Sequence, residues 1–118
     1  MESFKIKEKI YEMIRYGNPA LLHFPKSERY ELASRIRARM YGLLEYAVIV
    51  EKKYYKKTTL QDMDVELDVL RHLVRLSADR KLYPASAPCL PMKKYEHWAK
   101  LLDEIGRMLG GYIKAVKQ

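Results

Sequence analysis

The chain has 118 residues, of which 48% are hydrophobic, and its 23 lysines and arginines against 15 aspartates and glutamates leave a formal net charge of +8. This length accommodates a single domain with a hydrophobic core, expected to span residues 1–118, and the apolar fraction argues against disorder. The basic excess favours an acidic partner, namely nucleic acid, an anionic membrane or an acidic protein surface. The alternative is a basic surface that is merely solvated.

The chain shows no sequence signal for export or membrane insertion. Charges occupy its first ten residues, where a secretory signal would have an apolar segment, and no stretch approaches the roughly 20 apolar residues that cross a bilayer. Cys89 is the single cysteine, so no internal disulfide can form. We therefore expect a cytoplasmic protein without a membrane partner.

The first half of the chain has two segments with helical spacing of apolar residues. We predict a first helix over residues 3–16, closed by Gly17, and a second over residues 27–55. All five prolines fall in residues 17–25 and 83–91, which we interpret as connections because proline disrupts helices. The second helix has a heptad-like apolar spacing, which predicts these core positions: Leu32, Ile36, Met40, Leu43, Ala47, Val50 and Tyr54.

The second half has two more such segments. We predict a third helix over residues 60–82, with Thr59 as its N-cap and Asp62 completing a capping box, and a fourth helix over residues 92–116. Short connections between long amphipathic helices favour antiparallel neighbours. The sequence therefore predicts an all-α fold, an antiparallel up-down four-helix bundle.

Three glycines interrupt the fourth helix, although glycine costs a helix roughly 1 kcal/mol relative to alanine. Gly106 and Gly110 fall on one border of the apolar stripe, where a neighbouring backbone of the same chain or of another copy could come close. Gly111 falls on the outer side, where we expect a subunit or partner contact; the alternative is a tolerated residue near a fraying helix end. We thus interpret these glycines as helix-packing or oligomer contacts.

The positive charge is unevenly distributed, because residues 26–57 carry +5 and residues 92–118 carry +3. An up-down topology would gather many of these bases at one end, which we call the basic pole. At the other end, the lysines of residues 52–57 would be partly offset by acids of the third helix. The predicted basic pole consists of Arg15, Lys26, Arg29, Arg35, Arg75, Arg80, Lys81, Lys93 and Lys94.

Arginine grips phosphate through two parallel hydrogen bonds, so the basic pole is suited to nucleic acid. RNA shape is a better match than DNA sequence, because no recognition-helix or zinc-finger pattern occurs. Tyr16 and Tyr95 are the candidates for base stacking near this pole. The other tyrosines considered are expected to pack in the bundle with their hydroxyls at its edge: Tyr30, Tyr41, Tyr46, Tyr54 and Tyr112.

No catalytic constellation is visible. The three histidines and Cys89 lack metal-ligand spacing, and no phosphate-binding glycine loop follows a strand. We therefore expect a protein that is not an enzyme and that needs no metal or cofactor.

Three segments resemble one known family. They are "FPKSERYEL" (residues 24–32), "LDVLRHLVRLSADRKL" (67–82) and "LDEIGRMLGGYIKAV" (102–116), and together they are similar to the accessory variability determinant (Avd) proteins of diversity-generating retroelements. The Gly-Gly-aromatic-Ile-Lys run is the most specific part. The related 23S rRNA intervening-sequence proteins share the Phe-Pro-Lys-Ser-Glu segment and an Ile-Gly-x-Met-Leu ending, whereas the spacing of Arg71 and Arg75 favours Avd.

The resemblance implies a non-catalytic four-helix bundle that assembles as a homopentamer. Such proteins bind the reverse transcriptase of the element and its template RNA, and support mutagenic copying of adenines into a variable gene. By matching position, Arg71 and Arg75 are the first candidates for the polymerase or RNA surface. Arg80, Lys81, Lys26 and Arg29 are the next candidates.

Two other functions remain open at this point. One is an RNA- or ribosome-associated bundle of the 23S rRNA intervening-sequence type. The other is a protein-interaction module whose charge has no role in nucleic-acid binding. A neighbouring reverse transcriptase gene with paired template and variable repeats would separate the first of these from an Avd protein, and RNA binding across a salt series would test the second.

Overall fold

The computed structural model of the protein describes residues 5–116 and confirms the predicted all-α fold. A short 3-10 helix, Lys26–Glu28, lies in the first connection, and no strand occurs within the described range. The four α-helices are α1 (Ile6–Leu21), α2 (Leu32–Lys52), α3 (Lys57–Ser77) and α4 (Met92–Ala115).

The helices form a ring in which α1 and α3 each contact both α2 and α4. Lys7, near the start of α1, lies 2.7 Å from Glu51, near the end of α2. The hydroxyl of Tyr16, in the second half of α1, lies 3.5 Å from the carbonyl oxygen of Lys94 at the start of α4. Neighbours are therefore antiparallel, which confirms the up-down bundle; its extents are 51 × 23 × 21 Å.

Each helix buries one apolar stripe. In α2 the six heptad positions from Leu32 to Val50 are buried as predicted, because they recur on the face that meets α1 and α3. The seventh, Tyr54, lies beyond the end of α2 and is 81% exposed, so its assignment to the core is wrong. Trp98 of α4 is fully buried in the core cluster to which all four helices contribute.

The first helix does not end at Gly17. It continues through Pro19 to Leu21, because Ala20 and Leu21 are buried and their packing outweighs the hydrogen bond that proline removes. Gly17 itself is buried, and a Cβ there would lie 2.6 Å from the sulfur of Met40 and 2.7 Å from Cζ2 of Trp98. Gly17 is thus a packing position rather than a helix terminator, and the predicted start at residue 3 lies outside the described residues.

Other helix boundaries also differ from the prediction. The second helix begins at Leu32 rather than at residue 27, because Glu31 (φ −114°, ψ −92°) separates it from the 3-10 turn. Thr59 is a buried residue inside α3, its hydroxyl accepts a hydrogen bond from Nζ of Lys53 (3.1 Å), and the N-cap position belongs to Lys56. The third helix ends at Ser77, whose carbonyl oxygen accepts a bond from the Leu90 amide (2.9 Å) as the second connection folds back.

Candidate nucleic-acid interface

The two longer connections, residues 22–31 and 78–91, meet at one end of the bundle. The Tyr83 hydroxyl of the second donates a hydrogen bond to the Glu28 carboxylate of the first. This bond, with burial as a lesser cause, raises the pKa of Tyr83 above its usual value. The link holds together the two segments that carry four of the nine predicted basic residues, Lys26, Arg29, Arg80 and Lys81.

The elements place eight of the nine predicted residues at this end. Arg15 lies farther away, because α1 continues for six residues beyond it. The others follow the chain through the first connection (Lys26, Arg29), the first turn of α2 (Arg35), the last turn of α3 (Arg75), the second connection (Arg80, Lys81) and the first turn of α4 (Lys93, Lys94).

Three of these bases share one open groove of about 630 Å³ between the end of α3 and the start of α4. Arg75, Arg80 and Lys81 line it together with Tyr95 and four other residues besides the acid Asp79. Asp79 accepts a hydrogen bond from the backbone amide of Lys81 (2.8 Å), which shapes the turn. Within residues 5–116 none of the three bases forms an ion pair, so no carboxylate of the described chain neutralises their charge by direct pairing. We call this feature the Arg75 groove.

Arg71 lies one helical turn before Arg75 and is engaged differently. Its Nη1 forms an ion pair with Asp103 of α4 (2.7 Å), and its Nη2 donates to the carbonyl oxygen of Leu102 (3.3 Å). A Cβ at Gly106 would overlap the same guanidinium, so Gly106 makes the room that Arg71 occupies. Any partner that binds Arg71 has to compete with Asp103.

A second groove, of about 360 Å³, lies at the same end on the side of α1 and α2. Arg29 and Arg37 line it, together with Leu22 and Tyr30, which are 71% and 88% exposed. The expectation that Tyr30 packs in the bundle is wrong, because α2 begins only after it. Arg37 and Tyr30 were not among the predicted site residues. The 3-10 helix before Tyr30 has only three residues and gives no periodic pattern in the sequence.

Arg35 and the two tyrosines predicted to stack on bases differ in their surroundings. Arg35 lies 3.5 Å from Glu31, and both side chains are well exposed, so this pair contributes little to stability. Of the two stacking candidates, Tyr95 lines the Arg75 groove, whereas Tyr16 packs against the His97 ring at 4.4 Å between centroids. Burial raises the pKa of Tyr16. Tyr95 is therefore the better placed of the two to meet a base.

The glycines of α4 separate into two kinds. Gly106 serves packing within the chain, against Arg71 and Leu67 of α3. A Cβ at Gly110 or Gly111 would meet nothing within 4 Å, so the fold of one chain does not require glycine at either position. The predicted contact with another copy at these two residues stays a prediction.

Two acids of α3 contact basic side chains away from the end of the bundle that lies opposite the basic pole. Glu66 pairs with Arg39 of α2 (2.6 Å), and Asp68 lies 3.8 Å from Nδ1 of His72. Both acids lie along the side of the bundle rather than beside the lysines of residues 52–57. The expectation that acids of the third helix partly neutralise the lysines of residues 52–57 therefore does not hold for Glu66 and Asp68.

In the part of the chain that the structure describes, no three His, Cys, Asp or Glu side chains are grouped to hold a metal ion. None of the helices in residues 5–116 combines the length and apolar character that crossing a bilayer requires.

Comparison with known proteins identifies a family whose model matches the chain. The family model described as bAvd-like matches residues 4–116, which is nearly the whole chain. No curated protein and no solved structure matches the chain significantly.

Proposed function

The chain belongs to the bAvd-like family, the bacterial accessory variability determinants of diversity-generating retroelements, and on that premise we propose that its basic pole binds template RNA and the element's reverse transcriptase. In this proposal the protein is a non-catalytic adaptor that supports mutagenic reverse transcription. The observation that carries it is the Arg75 groove, where three bases without ion-pair partners in residues 5–116 line one opening.

The chemistry of the groove suits a polyanion. Two guanidinium groups, of Arg75 and Arg80, offer forked donors that match phosphate oxygens, and the Lys81 ammonium adds a point charge. Binding would release counterions from the RNA backbone and depend strongly on salt. Three such contacts to single-stranded RNA predict a slope of about −2 for log affinity against log salt.

The first test measures RNA binding by fluorescence anisotropy over a salt series. We expect R75A/R80A to weaken binding about tenfold and to make the salt slope about 1.4 units shallower. The matched control is K100A/R107A, which removes two exposed bases from the side of α4. Equal losses for the two double variants, or a flat salt response, would contradict the proposal.

The second test addresses the polymerase. We expect a reverse transcriptase gene with paired template and variable repeats beside the gene for this chain, and co-purification of the two proteins. The R75A/R80A variant should retain less polymerase than K100A/R107A. A genomic setting inside an rRNA intervening sequence would instead favour the alternative of an rRNA-associated bundle.

We also propose that the protein assembles as a homopentamer, with the open helix face at Gly110 and Gly111 at a contact between copies. Support comes from family membership and from the space around both glycines, which the single chain leaves unfilled. Light scattering tests the mass. A stable monomer at micromolar concentration would rule out the assembly.

A further inference from the structure

The connection between α2 and α3 presents two exposed tyrosines at the end of the bundle opposite the basic pole. The sequence there is "KKYYKK", residues 52–57, and Tyr54 and Tyr55 are 81% and 72% exposed. Large aromatic side chains usually bury their rings. The two tyrosines within α2, Tyr41 and Tyr46, are less exposed than this pair. We call residues 53–56, which join the two helices, the tyrosine loop.

Hydrogen bonds of the loop lysines hold it in this conformation. Nζ of Lys56 donates to the carbonyl oxygen of Val50 (2.5 Å), one of the carbonyls that α2 leaves unpaired at its end. Nζ of Lys53 donates to the Thr59 hydroxyl inside α3 (3.1 Å). The loop is thus tied to both helices by side-chain hydrogen bonds, and the two exposed tyrosines lie between the two lysines that make them.

The tyrosine rings form an edge-to-face pair, with centroids 4.7 Å apart and planes at 88°. In such a pair one ring directs its edge at the face of the other, so the partner covers only one of the four ring faces. The rings lie beside an open groove of about 580 Å³ that is lined by Tyr54, Tyr55, Lys53, Lys57 and Thr58. Aromatic faces and ammonium groups therefore share one surface.

We propose that the tyrosine loop is a second RNA contact, at which Tyr54 and Tyr55 stack on unpaired bases while neighbouring lysines attract the backbone. The choice of RNA rests on the proposed function; the site itself rests on the loop geometry. Stacking on aromatic rings in a positively charged groove is how proteins bind single strands without reading sequence. The groove lining consists of two tyrosines, two lysines and one threonine, so it combines aromatic stacking surfaces with positive charge and lacks aliphatic side chains.

The two proposed RNA contacts are well separated on the molecule. The tyrosine loop and the Arg75 groove lie at opposite ends of a bundle whose long axis measures 51 Å. One chain therefore has two separate RNA contacts, and their effects on affinity are expected to be additive because no residue is shared.

The test uses the full chain and fluorescein-labelled oligouridylate, an unstructured RNA. We expect Y54A/Y55A to bind about tenfold more weakly, whereas Y54F/Y55F, which keeps both rings, binds within about twofold of the unchanged protein. Heparin carries charge without bases, so its binding should not change in either variant. Tyr41→Ala, which removes a 41% exposed tyrosine from the side of the bundle, is the matched control, and circular dichroism verifies folding.

Each outcome is decisive. If R75A/R80A weakens binding and Y54A/Y55A does not, the tyrosine loop proposal is wrong and the Arg75 groove stands. If only the tyrosine variant weakens binding, the loop stands and the groove assignment is wrong. Equal loss of heparin and RNA binding in Y54A/Y55A would contradict stacking, as would loss of binding to phosphatidylserine-containing vesicles with RNA binding intact.

Discussion

The guanidinium of Arg71 on α3 occupies the space that the absent side chain of Gly106 leaves on α4. From there it donates to the Leu102 carbonyl oxygen and pairs with Asp103. The glycine in this helix therefore permits a cross-helix contact, and that contact offsets part of its cost in helix propensity. The relationship also distinguishes Arg71 from Arg75, although the two lie one turn apart on the same helix.

Gly106→Ala should uncouple Arg71 from α4. The added methyl group displaces the guanidinium, while the helix gains about 1 kcal/mol of propensity and loses an exposed ion pair worth up to about 1 kcal/mol. We expect little net change in the free energy of unfolding in urea. The diagnostic is a double-mutant cycle, because Asp103→Asn should matter less in the Gly106→Ala background than in the unchanged protein. An equal effect in both backgrounds would contradict this role of Gly106.

Gly17→Ala should destabilise the bundle. Its Cβ would lie 2.6 Å from the Met40 sulfur and 2.7 Å from Cζ2 of the fully buried Trp98, and such overpacking costs about 1–3 kcal/mol, more than the propensity gain. Urea denaturation measures the loss. Gly110→Ala is the control, since it adds the same methyl group to open space. An unchanged midpoint for Gly17→Ala would show that Met40 and Trp98 yield without cost.

Gly110→Ala and Gly111→Ala should stabilise the fold of the single chain. Nothing lies within 4 Å of either added Cβ, so each substitution gains up to about 1 kcal/mol of helix propensity. In dilute solution we expect a higher unfolding midpoint. If this face joins two copies, as proposed, the double variant should also show a smaller mass by light scattering. An unchanged mass for the double variant would remove these glycines from the subunit contact.

The stability of the protein should fall in acid through two carboxylates. Hydrogen bonds from Lys7 and Lys9 lower the pKa of Glu51 and Glu104, respectively, below the ordinary value of 4.5. A lowered folded-state pKa gives stability that is present above about pH 4.5 and is lost as the pH falls through the lowered value. We expect Lys9→Gln to reduce this dependence in urea midpoints measured from pH 6 to pH 3.

The control for the acid experiment is Lys100→Gln. Lys100 influences Glu104 through charge without a hydrogen bond, and it therefore affects the pKa less than Lys9 does. The two variants have the same net charge, so a difference between them reports the hydrogen bond. Identical acid profiles for Lys9→Gln and Lys100→Gln would show that the contact between Lys9 and Glu104 contributes nothing.

The limits of helix prediction here lie at the ends of the segments. Periodic apolar residues predicted all four helices, because each must bury a stripe to be stable. Gly17 and Pro19 predicted the end of the first helix wrongly, because the burial of Ala20 and Leu21 extends α1 past a residue that normally disrupts a helix. The capping motif was wrong at Thr59, whose hydroxyl accepts a hydrogen bond from Lys53 inside α3 rather than capping the helix. In both places a tertiary contact outweighed a local preference.

The sequence by itself determined the antiparallel bundle and the end at which eight of the nine predicted basic residues lie, because connections this short allow only neighbouring helices to reverse direction. Only the tertiary structure decided which bases are engaged: Arg71 pairs with α4, whereas Arg75 and Arg80 line an open groove. It also decided that Tyr54 is exposed while its heptad predecessors are buried. The physical reason is that exposure depends on where a neighbouring helix ends and which atoms it presents, and the periodicity of one helix contains neither.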